Sequence, residues 1–554
     1  MGLFEQFPYT NFHEMNLDWI LNIVKEIAGK VESLDSDIDQ AIIDAINSGE
    51  FDSIIDQVLF NEKLSVYDTF ADIPTTDLQT GDIVMTRGFY AKGDGGEALY
   101  QVAPGSFPSN GVYDFRVIGD FIRARQCGIF GDGLSDNAAE LTTLMTTYKH
   151  IDLEGKTYAV STSIPIRSDR IIYGAGAIIT TPVGSSNSMF GNAGQKNIII
   201  KDIQFIGCTN PGGTYYAITL TSCDNLIIEN CKFSAGYGYM VRLSGSTNCT
   251  VKNCSFENIN GVSGNPGGCI YIQGGSNFTF DDLRAENIQD HVIYLDGSSA
   301  IDNVNATKIF MDTVVNPLTN AASIACYGAV TQGLFTNCEA KNGVIGYQLS
   351  ERSGEVPRLL TFIRCSAYNM TQEGFYISGD SGTPKDQYIN ITDCRVDSSA
   401  QDAMSIRDAN FIQVRGLQCN NYTRNGIALS NAAYCFIEDS RFDTGDVAII
   451  AGYPNQADNN TFMNCVTSNN TSYGVYNRLG VNRFINCRTS TDIREIGTGV
   501  DIFGGNARSL IYRSSSPSGS TTYHTAGDIC VDTTGATNGW RCTASGTPGT
   551  WVAM

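Results

Sequence analysis

The chain has 554 residues, 42% of them hydrophobic, enough to bury a large core and to hold several domains. Its net charge of −22 and pI near 4.5 argue against a phosphate-backbone partner such as nucleic acid and against an anionic membrane surface. No apolar run reaches the ~18 residues that a membrane-spanning helix requires, so membrane insertion is not expected.

The first residues, MGLFEQFPYT, hold no basic region ahead of an apolar run, so no secretion signal is expected and folding in a reducing cytoplasm is. From Leu17 onward Ile20, Val24, Ile27, Val31, Leu34 and Ile38 alternate spacings of four and three, a heptad seam. β-Branched residues dominate both seam positions, which favours three or more strands and predicts a homotrimer; the alternative is an amphipathic helix packed on its own domain. Ser48-Gly49 ends this helix, and Phe51, Ile54, Ile55 and Leu59 predict a short second one. The words FPYTNFHEMNLDWILNIVKEI resemble the N-termini of virion-attached tail and neck-appendage proteins of short-tailed phages. The resemblance implies a segment that docks on other virion proteins, with Phe7, Phe12, Leu17 and Trp19 as anchors; otherwise these are core residues of the helical stem.

Val66 to Ile122 reads as a compact β-rich module, and VYDTFADIPTTDLQTGDIVMTRGFYAKGDGGEALYQV resembles the small β-module that precedes β-helices in phage tailspikes. Gly93-Asp94-Gly95-Gly96 is a tight-turn signal; no strand, Gly-loop and helix order surrounds it, which excludes a phosphate cradle. Glu154-Gly155-Lys156-Thr157 imitates the end of a P-loop, but His150 stands where the earlier glycine belongs. The segment GDGLSDNAAEL, Gly131 to Leu141, resembles the opening turn of pectate-lyase-like right-handed β-helices, where a turn feeds a short capping helix. Ser135 or Asp136 is the expected N-cap, with Leu141, Leu144 and Met145 closing the first coil, so that Asp132 and Asp136 read as structural.

Between about Ile166 and Gly505 the chain repeats itself. IIENCKF, TVKNCSF, LFTNCEA, FIRCSAY, ITDCRVD, TFMNCVT and RFINCRT place Cys231, Cys254, Cys338, Cys365, Cys394, Cys465 and Cys487 at equivalent points, and Leu283, Leu417 and Ser440 fill the same slot in between. Units of roughly 22 to 29 residues lie in the range of solenoids. Each unit carries period-two runs such as LIIENCKF and then HVIYLDG, GFYISGD, AMSIRDA or GIALSNA, separated by Gly/Asn/Asp turns, and none has room for a helix of repeat-protein length. Strands must therefore stack on strands, as parallel rungs about 4.8 Å apart, with inward columns of cysteine and a ladder of Asn230, Asn253, Asn337, Asn464 and Asn486 at a turn. The seventeen cysteines then read as small buried hydrophobes, and with four histidines and no paired CxxC, zinc is not expected.

After Gly505 the repeat stops. AGDIC and GWRCTASGTPGTW resemble the small terminal β-modules of phage tail proteins; capping, trimerisation, and sugar binding through Trp540 remain open. The predicted domains are thus 1–60, a virion-docking segment and helical stem; 61–125, a small β-module; 126–505, the β-helix; and 506–554, a C-terminal β-module. The fold class is all-β: a right-handed parallel β-helix of about 12–13 coils with an N-terminal α-helical stem and a small C-terminal β-module.

Chemistry is expected on the outside of the coils. Aligning the second strands on Tyr271, Tyr294 and Tyr376 puts His291, Glu373 and Asp402 in one column, with Asp290 beside it. Glu373 and Asp402 fall on consecutive coils, which holds two carboxyls at roughly 5 Å, the geometry of a glycosidase pair. Two such charges raise one pKa and so make an acid beside a base, while the tyrosines offer faces for sugar rings or, equally, pack rung on rung or form a trimer interface. Longer loops at 258–268, 350–358 and 378–386 add Arg352, Glu355 and Asp380 as binding candidates. The resemblance implies a virion protein that binds, and degrades, a bacterial surface glycan without a cofactor. A non-enzymatic adhesin or structural fibre is the first alternative. A uronate lyase, using Arg242 or Arg407 as base and usually calcium, is the second.

Overall fold

The computed structural model describes residues 65–181, 188–207, 216–261, 267–314, 321–379, 383–489, 493–495, 500–503, 510–513, 529–532, 539–544 and 550–554. The expected docking segment, helical stem and heptad seam lie outside these residues, as does Asp380. Two compact units emerge, Met1–Ile179 with Lys201–Ile203, and Thr180–Ile200 with Gln204–Met554.

In the first unit, Ser65–Tyr67, Ile83–Thr86, Ala98–Val102 and Phe115–Ile118 form a four-stranded sheet over Phe70, Tyr100 and Phe115. Its Gly-rich turn is organised by Asp94, whose carboxylate accepts the N–H groups of Phe89 at 3.1 Å, Tyr90 at 2.7 Å, Ala91 at 3.1 Å and Gly96 at 2.7 Å. Burial pushes this carboxyl's pKa up, but the backbone donors outweigh it and the net shift is downward.

The helix Ala138–Thr147 buries Ala138, Leu141, Leu144 and Met145, the face that the sequence predicts. Its cap differs from expectation: Asn137 stands at the N-cap, because Asp132–Asp136 is still an extended strand. Asp136 nevertheless serves the helix start, accepting the Ala138 N–H at 3.2 Å and the Ser161 N–H at 3.0 Å. Asp132 accepts the Leu134 and Ser135 N–H groups at 2.8 and 2.9 Å, a turn role as expected. At the other end Arg170 donates to the carbonyls of Met145 at 2.8 Å and Thr146 at 3.0 Å, filling acceptors that the last helical turn leaves open.

The second unit is a solenoid of parallel rungs. Pairings from Phe190–Ala193 to Val500–Phe503 run parallel, and residues one coil apart stand in register, Val241 with Ile270 and Ile293, for example. Inward residues form continuous columns. Phe205, Phe233 and Phe256 stack ring on ring at 5.0 and 4.9 Å, and Phe335 and Phe362 at 4.6 Å.

The cysteine slot explains itself at the turn. Asn230, Asn253, Asn337, Asn464 and Asn486, each preceding a slot cysteine, have φ between 51° and 54°. Asn tolerates this left-handed conformation better than most residues, which lets a single residue bend the chain between two strands. The side-chain ladder is present where Asn486 donates to Asn464 at 2.8 Å and Asn464 to Asp439 at 3.0 Å. Cys231, Cys254 and Cys338 then donate Sγ to the carbonyl two residues back at 3.4, 3.2 and 3.5 Å, and Ser440 makes the same bond through its hydroxyl at 2.8 Å. Leu283 and Leu417 occupy the slot as predicted; Ile309, one rung after Leu283, is a further occupant that the sequence reading missed.

All sixteen described cysteines are buried, and none of them is in a disulfide. A large excess of dithiothreitol should therefore leave the melting temperature unchanged; a sharp fall would mean that cross-links carry stability. Beyond the solenoid, Leu510–Arg513, Ile529–Asp532, Trp540–Ala544 and Thr550–Ala553 form a separate four-stranded sheet. Among the described residues no helix is long and apolar enough to cross a membrane.

Candidate functional site

One outward column runs along a face of the second unit. Register pairs Arg242 with Tyr271, Tyr271 with Tyr294, Tyr294 with Ala325, Ala325 with Gln348, Gln348 with Tyr376, and Tyr376 with Ser405. Three residues earlier on each strand's approach stand His291, Ala322, Ile345, Glu373 and Asp402. Glu373 and Asp402 are on adjacent rungs, two residues ahead of the paired Phe375 and Met404. His291 is not beside them: Ala322 and Ile345 intervene, three rungs or about 14 Å away along the stack.

These side chains are not displayed on the surface as expected. Glu373 is 4% exposed and Asp402 1%. Arg424 grips Asp402 with two parallel bonds, Nε to Oδ1 at 2.8 Å and Nη2 to Oδ2 at 2.7 Å, and Asn425 Nδ2 adds a third at 2.6 Å. All three partners are donors, a match for the acceptor oxygens of a carboxylate. Glu373 has no such fork. Arg407 Nη2 stands 3.8 Å from its Oε1, while Arg407 Nε is committed to Ser405 Oγ at 2.9 Å and its guanidinium lies over the Tyr376 ring. Burial raises the Glu373 pKa, the Asp402 charge raises it further, and Arg407 and Arg424 only partly oppose the shift. The pair is therefore asymmetric: one clamped carboxylate and one carboxyl biased toward its protonated form.

A second constellation lies several coils earlier on the same face. Tyr239, Tyr271 and Tyr294 group with centroids 5.3 to 6.0 Å apart. Asp290 accepts the Tyr239 hydroxyl at 2.6 Å and faces His291 Nε2 at 3.4 Å. His291 Nδ1 accepts the Ala322 N–H at 3.0 Å, which leaves the ring proton on Nε2, toward Asp290. Buried Asp296 accepts the Tyr271 hydroxyl at 2.6 Å and pairs with Arg352 Nη1 at 3.3 Å. Arg352 also donates to the Tyr294 hydroxyl; it reaches over because the 350–358 loop closes into a turn, with Arg352 and Glu355 exchanging backbone bonds at 2.9 and 3.1 Å. The exposed Glu355 side chain takes no part in this group.

Between the two constellations the wall is small and apolar. Ala321, Ala322, Ala325, Val344 and Ile345 pack together, with Tyr294, Val314, Tyr327 and Tyr376 against them. The face thus reads as aromatic edges around a smooth floor, with arginine-bound carboxylates at either end. Of the residues named from sequence, Glu373 and Asp402 stand together with Tyr376, and Asp290, His291, Tyr271, Tyr294 and Arg352 stand in the second group; the sequence reading did not name Arg424, Asn425, Asp296 or Tyr239. Asn425 was within reach, since NGIALS aligns with DAMSIR without a gap and puts it in the Asp402 position. Among the described residues no group of three or more His, Cys, Asp or Glu side chains is arranged to hold a metal ion.

A family model described as "Right handed beta helix region" matches residues 191–356 and 349–515, more than half of the chain. The chain belongs to the right-handed β-helix family. The match supplies the handedness that the parallel registers leave open. A search of curated proteins finds no match. Among solved structures, the pre-mature gene product 12 of bacteriophage phi29 is similar in fold, at 13% identity and a TM-score of 0.53, over 70% of this chain and 56% of that one. Tailspike protein 3 of bacteriophage CBA120 aligns at 11% identity and a TM-score of 0.44, over 82% and 72%. The Streptococcus pneumoniae surface protein and adhesin PfbA aligns at 12% and 0.44, over 66% and 99%.

Proposed function

We propose that this β-helix is a phage virion appendage whose tyrosine-lined face binds a bacterial surface glycan, and that Glu373 and Asp402 hydrolyse it. The observation that carries the chemistry is the asymmetric pair on adjacent rungs. Glu373, whose pKa burial and the Asp402 charge raise, donates a proton to the leaving glycosidic oxygen. Asp402 accepts three of the roughly four hydrogen bonds that a carboxylate can take, and the place left is on Oδ2, on the rung next to Glu373. A separation of about one rung, ~5 Å, matches the retaining class, in which the second carboxylate attacks the sugar carbon as the leaving oxygen takes the Glu373 proton, and water, deprotonated by the ionised Glu373, then displaces the carboxylate and frees the sugar. The virion assignment is supported by the resemblance of the N-terminal segment to phage appendages, and the shared fold with phi29 gene product 12 is consistent with it.

The commitment of Asp402 to Arg424 and Asn425 favours a second reading, an adhesin whose groove binds without cleaving. Incubating purified protein with bacterial cell-wall glycan, and following reducing ends and near-ultraviolet absorbance, separates the readings. Hydrolysis releases reducing ends alone, a lyase adds an absorbing unsaturated sugar, and an adhesin releases nothing. The heptad seam supports a homotrimer, and light scattering of the intact protein should return about three times the 59.9 kDa chain mass. The mass of a single chain would exclude it.

A further inference from the structure

At one turn of the second unit a left-handed residue recurs coil after coil, and in the earlier coils it is asparagine. Asn225, Asn248, Asn277 and Asn303 follow one another there on successive rungs, with Asn277 donating to Asn248 at 2.9 Å and Asn303 to Asn277 at 2.8 Å. After Gln332 the ladder changes character. Leu359, Tyr388, Phe411 and Tyr434 hold the same place on four consecutive rungs, and Asn459 then restores the polar residue. The φ angles of these four lie between 55° and 60°, a conformation that Asn tolerates and bulky side chains adopt at a cost. Leu359 is 52% exposed, Tyr388 47% and Tyr434 54%. The ladder thus carries two costs, a strained backbone and apolar surface in water, and asparagine would remove both.

Stacking offsets part of these costs. The rings of Tyr388 and Phe411 lie 4.9 Å apart at an interplanar angle of 7°, and those of Phe411 and Tyr434 5.3 Å apart at 11°. The same stacking decides what the ladder can bind. The ring faces lie against one another, with Leu359 and Asn459 one rung beyond either end, so what points outward is a row of edges and hydroxyls. A sugar ring needs a face; edges suit the side chains of another protein surface. Arg358, Asp386, Asn390 and Gln413 are exposed beside the ladder and supply the polar rim of such a contact. The ladder is three rungs long, about 14 Å, and its part-exposed side chains offer roughly 300–400 Å². A stable interface between free proteins takes about 800 Å² on each side, so the ladder is too small to hold a separate partner by itself. It is large enough for a second copy already kept close by the heptad seam of Ile20 to Ile38, because tethering raises the effective concentration.

We infer that the ladder of Leu359, Tyr388, Phe411 and Tyr434 is where the solenoids of three copies touch, ladder against ladder around the threefold axis. Cyclic symmetry sets equivalent rungs level along that axis, so each ring edge meets the same rung of its neighbours. The ladder comes after the strand that carries Tyr376, whereas Glu373 comes before it, so covering the ladder leaves the carboxyl pair open. The inference rests on the trimer reading and adds the contacting surface to it; it is independent of what the tyrosine-lined face binds or cleaves.

The test uses the full chain with one cysteine placed on the ladder. The described native cysteines are buried, so Tyr434→Cys adds a surface thiol, and the wild type gives the background from Cys208, which lies outside the described residues. Air oxidation with copper-phenanthroline joins two thiols as a disulfide only where their Cα atoms come within about 7 Å. Tyr434→Cys should then give a covalent two-chain band about fivefold stronger than Asn464→Cys, an exposed left-handed position on another turn of the coil. The second arm is the triple variant Tyr388→Asn, Phe411→Asn, Tyr434→Asn. It restores the residue that neighbouring rungs use, so the fold should stay, while the concentration at which the trimer dissociates should rise about tenfold. A trimer by light scattering whose Tyr434→Cys form links no better than Asn464→Cys would overturn the ladder contact and leave the trimer standing. A triple variant that resists dilution as well as wild type would do the same, and if it loses glycan binding instead, the ladder is a sugar surface. A wild type with the mass of a single chain overturns the contact and the trimer together.

Discussion

Glu373→Gln should abolish glycan cleavage while leaving binding and fold intact, with reducing-end release falling about 10²–10⁴-fold, the range expected for loss of a general acid. Gln keeps the shape and removes the proton. The pH dependence carries the more specific signature. Burial and the neighbouring Asp402 charge raise the Glu373 pKa, so the protonated, active form persists above the ordinary glutamate range and is lost as pH rises through the raised value. Wild-type activity should fall on the alkaline side along that titration, and the limb should vanish from the residual activity of Glu373→Gln. Stability moves the opposite way. A carboxyl whose folded pKa lies above its unfolded value stabilises the fold below the unfolded pKa, and that contribution is lost as pH rises through the folded one. At neutral pH the wild type therefore carries a penalty that Glu373→Gln lacks. The variant should melt higher than wild type at neutral pH, with the gap closing in acid below the ordinary glutamate pKa. A variant that cleaves as fast as wild type removes Glu373 from the chemistry, whatever its melting temperature.

How much of this site was legible in sequence depends on how local each relation is. The rung repeat was legible because one left-handed residue and one slot residue recur at every turn, and both act within three residues of sequence. The adjacency of Glu373 and Asp402 was legible for the same reason: QEGFYIS and QDAMSIR align without a gap, so the strands themselves fix the register. The relation of His291 to that pair was not. It required counting the coils that begin at Ala322 and Ile345, whose small and aliphatic residues carry no chemical signal at that position. Burial was hidden too, since it depends on how successive approaches nest, and so was the reach of Arg352 to Asp296 and Tyr294, which a loop turn sets. The helix cap fell one residue late because the Asp132–Asp136 strand holds its extended form up to Asn137, a competition between two local preferences that the motif alone does not decide.

The largest stability effect belongs to the inward columns. Phe233 is fully buried and sandwiched between Phe205 and Phe256, with interplanar angles of 8° and 7° and centroids 5.0 and 4.9 Å away. Phe233→Ala opens a cavity that neither neighbour can close, because each ring is held in register by its own rung: Phe205 pairs with Phe233, and Phe233 with Phe256. The expected cost is about 3–5 kcal/mol, against less than ~2 kcal/mol for Phe233→Leu, which refills most of the volume. In a solenoid, where each rung leans on its neighbours, that loss should remain near its source. Hydrogen exchange should quicken across Gln204–Ile206, Lys232–Ser234 and Ser255–Glu257. It should change little at Asn460–Met463 and Asn482–Ile485, where a separate pair, Phe462 and Phe484, stacks at 4.8 Å. Uniform acceleration across both regions would mean that the coils unfold as one cooperative block, and the rung-by-rung account of stability would fail even if the total cost came out as expected.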